Sequence, residues 1–201
     1  MRARLIRPAA ALALTSAAVL SLSASAATKP LVLTDPKGDA FVTDQGTGTF
    51  GGVPGPSQDS KDVVSLTMAP LPGKACTGYT AVLELAGAPS NNTVYRVLGT
   101  TAKNTSLFWL QYDNNPVNGT RTQLRFSDGT SQSVGLSTPA KVEGSKITFT
   151  VLDKDVKAAG EKLASLKIDL PGVDIRTSTG AATVPAHDSL DNEDKSFKVC
   201  S

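Results

Sequence analysis

Short stretches of alternating apolar and polar residues recur along the chain, separated by segments rich in turn-forming residues. Ile147, Phe149 and Val151 alternate with threonines, and a period of two also runs through residues 81–86. Because successive side chains of a strand point to opposite faces, this period places one side of each strand in a core. The pattern predicts strands at residues 31–34, 62–69, 79–86, 93–99, 106–112, 122–126, 141–143, 146–152, 166–170, 174–177 and 196–199.

One segment, residues 153–166, departs from this alternation. Its sequence DKDVKAAGEKLASL has the residue types of a short helix, and Asp153 stands where a capping residue is expected. A lone helix among strands is typical of a crossover in a β-sandwich, since βαβ units need longer helices at regular intervals. The chain is therefore predicted to be all-β, a single antiparallel two-sheet sandwich, with residues 45–60 as a long loop inside it.

The N-terminal residues have the order of a secretory signal peptide. Three arginines precede an Ala/Leu/Val-rich run, which ends in small residues at Ala26. We therefore expect residues 1–26 to be a signal peptide and residues 27–201 to be the mature domain of an exported, secreted protein. No later apolar run reaches the length of about 18 residues that a transmembrane helix needs.

Charge argues against two classes of partner. The chain has 20 basic and 18 acidic residues, and without Arg2, Arg4 and Arg7 the mature part has 17 against 18. A nearly neutral chain without a run of Lys or Arg lacks the electrostatic pattern of a nucleic-acid-binding protein or of a protein that binds anionic membranes.

Two cysteines, Cys76 and Cys200, lie far apart in the sequence. In an exported protein an even number of cysteines favours a disulfide, and two cysteines allow one pairing. The alternative is a pair of buried free thiols. We expect the disulfide, which would join the C-terminus to the segment before an early strand.

The segment TDPKGDAFVTD, residues 34–44, concentrates aspartates around a proline and a glycine. A tight turn there would bring the carboxylates of Asp35 and Asp39 together, and Asp62 could add a third oxygen ligand from the next strand. Carboxylate and carbonyl oxygens in irregular geometry suit calcium. The alternative is an ordinary turn, in which the aspartates bond their own backbone.

Three short motifs resemble those of secreted bacterial β-sandwiches related to the DOMON domains and the family 9 carbohydrate-binding modules. They are the D-P-x-G-D motif at 35–39, the D-V-x-S motif at 62–65 and the strand EGSKITFTV at 143–151, which precedes the helical segment. The resemblance implies a jelly-roll-like sandwich that is often attached to surface or wall proteins, with a calcium ion near its N-terminus. Sugar-binding members use exposed aromatic platforms, whereas this chain has one tryptophan, Trp109, within the apolar string LFWLQY.

Catalytic chemistry finds little support in the sequence. His187 is the one histidine, and no G-x-S-x-G motif accompanies it, so a serine hydrolase is a remote alternative. DOMON domains of the cytochrome type hold haem between Met and His, and Met68 with His187 would be that pair. We expect instead a non-enzymatic module that binds a surface glycan or a protein outside the cell, or that has a structural role there.

Overall fold

The structure is a computed structural model that describes residues 29–35, 41–42, 53–54, 59–73, 76–101, 107–127, 133–177, 186–187, 190 and 195–200. At residues 41–42, 53–54, 176–177 and 186–187 only the backbone is described. The predicted signal peptide, residues 1–26, lies outside these ranges. Asp39 also lies outside them.

Strands dominate the described chain, with one short α-helix and one 3-10 turn. The helix α1 is Asp153–Ala158, and the 3-10 turn is Leu163–Ser165. The strands are β1 Leu31–Thr34, β2 Phe41–Val42, β3 Val53–Pro54, β4 Val63–Pro70, β5 Gly78–Leu85, β6 Thr93–Thr101, β7 Leu107–Asn114, β8 Arg121–Ser127, β9 Val134–Gly135, β10 Lys141–Glu143, β11 Lys146–Leu152, β12 Lys167–Thr177, β13 Ala186–His187 and β14 Ser196–Lys198.

These strands form two antiparallel sheets. The small sheet has the order β1-β4-β5-β11-β10. The large sheet has the order β3-β2-β13-β12-β6-β7-β8-β9, and β14 pairs with β12 as well. The two sheets pack face to face, which confirms the predicted all-β sandwich.

The core lies between the sheets and is built from alternating strand positions. On the small sheet, Phe149 and its neighbours at every second position of β11 are fully buried. On the large sheet, Phe108 and Leu110 of β7 point inward, while the residues between them point to the opposite face. For β11 the period of two in the sequence therefore predicted correctly which side of the strand is buried.

Two differences from the predicted strands have physical causes. The predicted strands at 166–170 and 174–177 correspond to one strand, β12 (Lys167–Thr177), because the chain continues through a bulge between Asp169 and Gly172. The two-residue strands β2, β3, β9 and β13 were missed, since two residues are too few to show a period.

The start of α1 also differs from the prediction. Asp153 is the first helical residue, and its side chain pairs with Lys157 one turn later. The carboxylate that supports the helix start belongs to Asp155, which accepts the backbone N–H of Leu152 at 3.0 Å and of Ser137 at 3.0 Å. Asp155 thus joins the helix to the segment that follows β9, and it is 4 % exposed.

Replacing Asp155 with alanine is expected to destabilise the protein by about 2 kcal/mol, because both backbone N–H groups lose their acceptor. The matched control is Asp153→Ala, which removes an exposed ion pair and is expected to cost less than about 0.5 kcal/mol. Urea unfolding of the two variants checks the difference. Equal losses would show that Asp155 does not hold the helix start.

Candidate functional site

Two of the three predicted calcium ligands lie near one another at one end of the small sheet. The backbone N–H of Asp35 donates to the carbonyl of Val64 at 3.0 Å, and Asp62 lies two residues before Val64. Asp62 is 3 % exposed, and Asp35 Oδ2 and Asp62 Oδ1 are buried atoms. The fold therefore brings these two residues to adjacent strand ends.

The third predicted ligand, Asp39, lies outside the described residues, so the complete site stays a prediction. Within the part of the chain that the structure describes, no group of three or more His, Cys, Asp or Glu side chains gathers as metal ligands. The oxygen atoms of Asp35 and Asp62 are of the type that calcium prefers.

The disulfide between Cys76 and Cys200 is present, as predicted. It joins the segment before β5 to the end of the chain, and 124 positions separate the two cysteines. Just before Cys200, Val199 and Phe197 are buried in the core. The covalent bond therefore holds a C-terminal segment that also packs between the sheets. A disulfide of this kind fits an oxidising compartment.

The two residues of the haem alternative belong to different sheets. Met68 lies on β4 of the small sheet, and its side chain is fully buried in the core cluster. His187 belongs to β13 of the large sheet, where its backbone pairs with that of Phe41. The structure describes only the backbone of His187. Core packing is a sufficient role for Met68.

Trp109 does not belong to the core, although its surroundings in the sequence are apolar. On β7 the inward positions are taken by Phe108, Leu110 and Tyr112, so Trp109 points to the outer side of the large sheet. It lies opposite Leu98 of β6 and Arg125 of β8. Strand register collects the surrounding outward residues from four strands, and we call this surface the tryptophan face: Arg96, Leu98, Trp109, Gln111, Asp113, Gln123, Arg125 and Asp174.

Two arginines hold the indole ring of Trp109. The guanidinium carbon of Arg125 lies 4.7 Å from the ring centroid, and that of Arg96 lies 5.5 Å away. Arg96 comes from β6 and Arg125 from β8, so they reach Trp109 from strands on opposite sides of β7. Cation–π attraction of this kind contributes about 0.5 to 1 kcal/mol at partly exposed sites.

Polar contacts fix Arg96 in place. Its Nε donates to Oε1 of Gln111 at 2.8 Å, and its Nη1 lies 3.6 Å from Oδ2 of Asp174. The Arg96 side chain is 23 % exposed and that of Asp174 is 10 % exposed, so the pair is largely shielded from solvent. The side chains of this outer face therefore form an ordered layer in which Arg96 cannot turn freely.

Asp113 occupies the same face, and burial raises the pKa of its carboxyl above the ordinary value, although the charges of Arg121 and Arg96 act in the opposite direction. Oδ1 of Asp113 is buried, and within the described part of the chain it accepts no hydrogen bond. Desolvation without a hydrogen bond disfavours the charged form, which is why the pKa rises.

Asp113→Asn is expected to raise the melting temperature near neutral pH. A carboxyl whose pKa is raised by folding costs stability when it is ionised, and that cost disappears as the pH falls below its ordinary pKa of 3.8. The gain should therefore be present at about pH 7 and lost at about pH 3. The control Asp169→Asn, which removes an ion pair with Lys167, should not raise the melting temperature. A gain for Asp113→Asn that is independent of pH would contradict the assignment.

A strained segment of β12 borders the tryptophan face. Leu170 has a positive φ of 48° and is 50 % exposed, and its N–H donates to the carbonyl of Lys195 at 2.9 Å. A non-glycine residue in this left-handed region costs on the order of 1 kcal/mol. The bulge turns Leu170 outward and brings Gly172 opposite Leu98. Leu107 at the start of β7 is 55 % exposed. Two leucines therefore stand at the same end of this sheet.

Sequence reasoning missed the tryptophan face because its members are scattered between residues 96 and 174. Their signal lies in the outward positions of the strands, where Gln, Arg and Trp occur in place of the threonines of β11. Finding the face from the sequence needs the register between β6, β7, β8 and β12, which alternation along one strand does not reveal.

Among the residues that the structure describes, no helix is long and apolar enough to cross a membrane. Comparisons with protein-family models, with curated proteins and with solved structures found no match to this chain.

Proposed function

We propose that this chain is an exported, non-catalytic β-sandwich module, related to the DOMON-like group, that binds an extracellular ligand through the tryptophan face. The disulfide supports the expected oxidising compartment, because such bonds persist outside the cytosol. The sandwich provides a rigid sheet on which outward side chains keep fixed positions. Rigid elements hold binding residues more accurately than loops do.

The observation that carries the proposal is the position of Trp109 between two arginines on the outer side of the large sheet. Trp and Arg are the residue types that most often dominate binding energy at interfaces. Apolar area beside them, from Leu98 and the half-exposed Leu107, adds to what a partner would bury. The arrangement combines an aromatic anchor, apolar surface and polar groups around it, which is the composition of a binding surface.

Sedimentation with insoluble glycans and cell-wall fractions tests this function. The purified mature protein is expected to be retained by at least one fraction, and Trp109→Ala is expected to weaken retention roughly tenfold or more. Lys146→Ala is the control, since Lys146 lies on the small sheet. The proposal fails if no fraction retains the parent protein, or if Trp109→Ala is retained as well as the parent.

We also propose that calcium stabilises the end of the small sheet at which Asp35 and Asp62 lie, with these two residues and Asp39 as its ligands. Two carboxylates at adjacent strand ends repel each other when both are ionised, and a bound cation would offset this repulsion. The ion would supply charge neutralisation and cross-link β1 to the start of β4. Its role is to stabilise the fold.

Added calcium is expected to raise the melting temperature of the protein, and EGTA is expected to reverse the rise. A ligand present at 100 times its Kd stabilises the folded state by about 2.7 kcal/mol. Asp39→Ala should abolish the calcium-dependent rise, while Asp153→Ala should keep it. An unchanged melting temperature of the parent protein with calcium and with EGTA would contradict the site.

A further inference from the structure

Arg125 differs from the other basic residues near the tryptophan face because it has no acidic partner among the residues that the structure describes. Arg96 pairs with Asp174, and Lys167 pairs with Asp169 at 2.6 Å. The charge of Arg121 acts on Asp113. Arg125 forms no ion pair with any residue that the structure describes, and its buried Nε has no hydrogen-bond partner there. The charge of this guanidinium, which lies against Trp109, is not paired with a carboxylate of the described residues. An anion would approach its terminal Nη groups, because the Nε is buried.

Gln123 is a second polar residue of β8 that lies beside Arg125 on the tryptophan face. It lies two residues before Arg125, so both side chains point to the same side of the sheet. The amide of Gln123 makes no hydrogen bond within the described part of the chain, and on β7 it lies opposite Gln111. The oxygen of the Gln111 amide accepts from Arg96, which leaves its NH2 group as a donor.

The donors of this region determine the chemistry of the ligand. A guanidinium presents a planar pair of N–H groups that matches the two oxygens of a carboxylate. The side-chain amides of Gln111 and Gln123 donate and accept, which suits hydroxyl groups. Asp113 and Asp174 occupy other parts of the face and repel anions there, so the carboxylate is directed to the β8 side.

A glycan fits this surface better than a peptide does. An extended peptide satisfies its backbone N–H and C=O groups by pairing with the edge of a sheet, whereas the tryptophan face is the flat side of the sheet. The hydroxyls of a sugar chain can each bond to the separate amide and guanidinium groups. Building on the proposed binding function, we infer that the tryptophan face binds an acidic glycan, whose uronate carboxylate pairs with Arg125 and whose hydroxyls bond to Gln123 and Gln111.

Trp109 provides the readout, because it is the only tryptophan of the chain. Its fluorescence is titrated with oligogalacturonate and with the methyl ester of the same oligosaccharide, which has the same sugars without the charge. The free acid is expected to bind at least roughly tenfold more tightly than the ester, since a charge-assisted pair is lost on esterification. Added salt should weaken the binding of the acid and leave that of the ester nearly unchanged.

Variants assign the preference to Arg125. Arg125→Gln should bind acid and ester equally, while Arg125→Lys, which keeps the charge, should retain part of the preference. Lys146→Gln, on the small sheet, should behave as the parent protein. The melting temperature of each variant and its binding of the ester check that the face is still folded.

The outcomes separate this inference from the proposed function. Equal binding of acid and ester by the parent protein overturns the acidic ligand and leaves a binding role intact. Failure of both probes to change Trp109 fluorescence also overturns the inference, and the sedimentation assay then decides the binding function on its own. Binding of polyglutamate without binding of oligogalacturonate overturns the glycan and identifies an acidic protein as the partner.

Discussion

The double variant Cys76→Ser, Cys200→Ser is expected to lose about 4 kcal/mol of unfolding free energy. The disulfide closes a loop whose ends are 124 positions apart. Opening so long a loop gives the unfolded chain a large gain in conformational freedom, and the folded state has little to compensate for it. Urea unfolding of the oxidised parent and of the double variant measures the difference. A loss below about 1 kcal/mol would show that the bond contributes little.

An intact-mass measurement supports the same comparison. Reduction and unfolding of the parent protein should add about two mass units, one hydrogen to each sulfur, and the double variant should show no change. This control ensures that the unfolding curve of the parent belongs to the oxidised form.

Phe197→Ala is the second large effect, with an expected loss of about 3 to 5 kcal/mol. Phe197 lies on β14, is 1 % exposed, and its ring centroid is 5.8 Å from that of Tyr79 on β5. The contact joins the large sheet to the small sheet, so alanine would leave a cavity between them. Val117→Ala is the control, because Val117 is 86 % exposed and its truncation should change stability by less than about 0.5 kcal/mol. A similar small change for Phe197→Ala would mean that the C-terminal strand does not complete the core.

The two variants act on the same segment, and their effects should therefore combine in a non-additive way. Once the disulfide is absent, the C-terminal strand can detach more easily, and part of the contribution of Phe197 is already lost. The triple variant is expected to be more stable than the sum of the separate losses predicts. This comparison shows whether β14 and the disulfide form one cooperative unit.

Tyr79, whose ring contacts that of Phe197, is itself enclosed in the core. The Tyr79 side chain is fully buried, and within the described residues its hydroxyl has no hydrogen-bond partner. Burial raises the pKa of this hydroxyl far above its ordinary range, and the nearby charge of Asp155 acts in the same direction. Both effects favour the neutral form of the phenol.

The all-β fold could be predicted from the sequence, because the alternation of apolar and polar residues identifies most of the strands. The bounds of β1, β10 and β11 match the prediction to the residue, since turn-forming residues flank each of them. β12 was divided in two, because Leu170 and Pro171 look like a break in the sequence although the strand continues through a bulge there. Leu170 has a positive φ, which its tertiary surroundings impose. Neither a leucine nor the residues beside it predict this backbone conformation.

The candidate sites differ in how much of each could be predicted from the sequence. The disulfide could be predicted from the expected oxidising compartment and from the presence of two cysteines, neither of which requires knowledge of the geometry. The calcium ligands stay a prediction: the structure shows that β1 and β4, beside which Asp35 and Asp62 lie, are paired. The tryptophan face depends on the pairing of β6, β7, β8 and β12. The outward position of Trp109 could not be predicted, because its sequence neighbours are apolar and point to the other side of the sheet.

The view of charge also changes with the structure. The sequence has no run of basic residues, yet strand pairing brings Arg96 and Arg125 to either side of Trp109. Asp174 and Asp113 lie on the same face, so its two positive and two negative charges are mixed, and Arg96 pairs with Asp174. A mixed surface of this kind is suited to one anionic group and is unlike the continuous basic surface that nucleic acid requires.

The most direct test of the binding function is the indole N–H signal of Trp109 in a proton–nitrogen NMR spectrum of the mature protein. With one tryptophan in the chain, this signal is a single peak that reports on the tryptophan face. Addition of the retained glycan or wall fragment is predicted to shift this peak together with backbone amides of β6, β7 and β8. Shifts confined to the small sheet, with the Trp109 peak unchanged, would contradict the assignment of the binding surface.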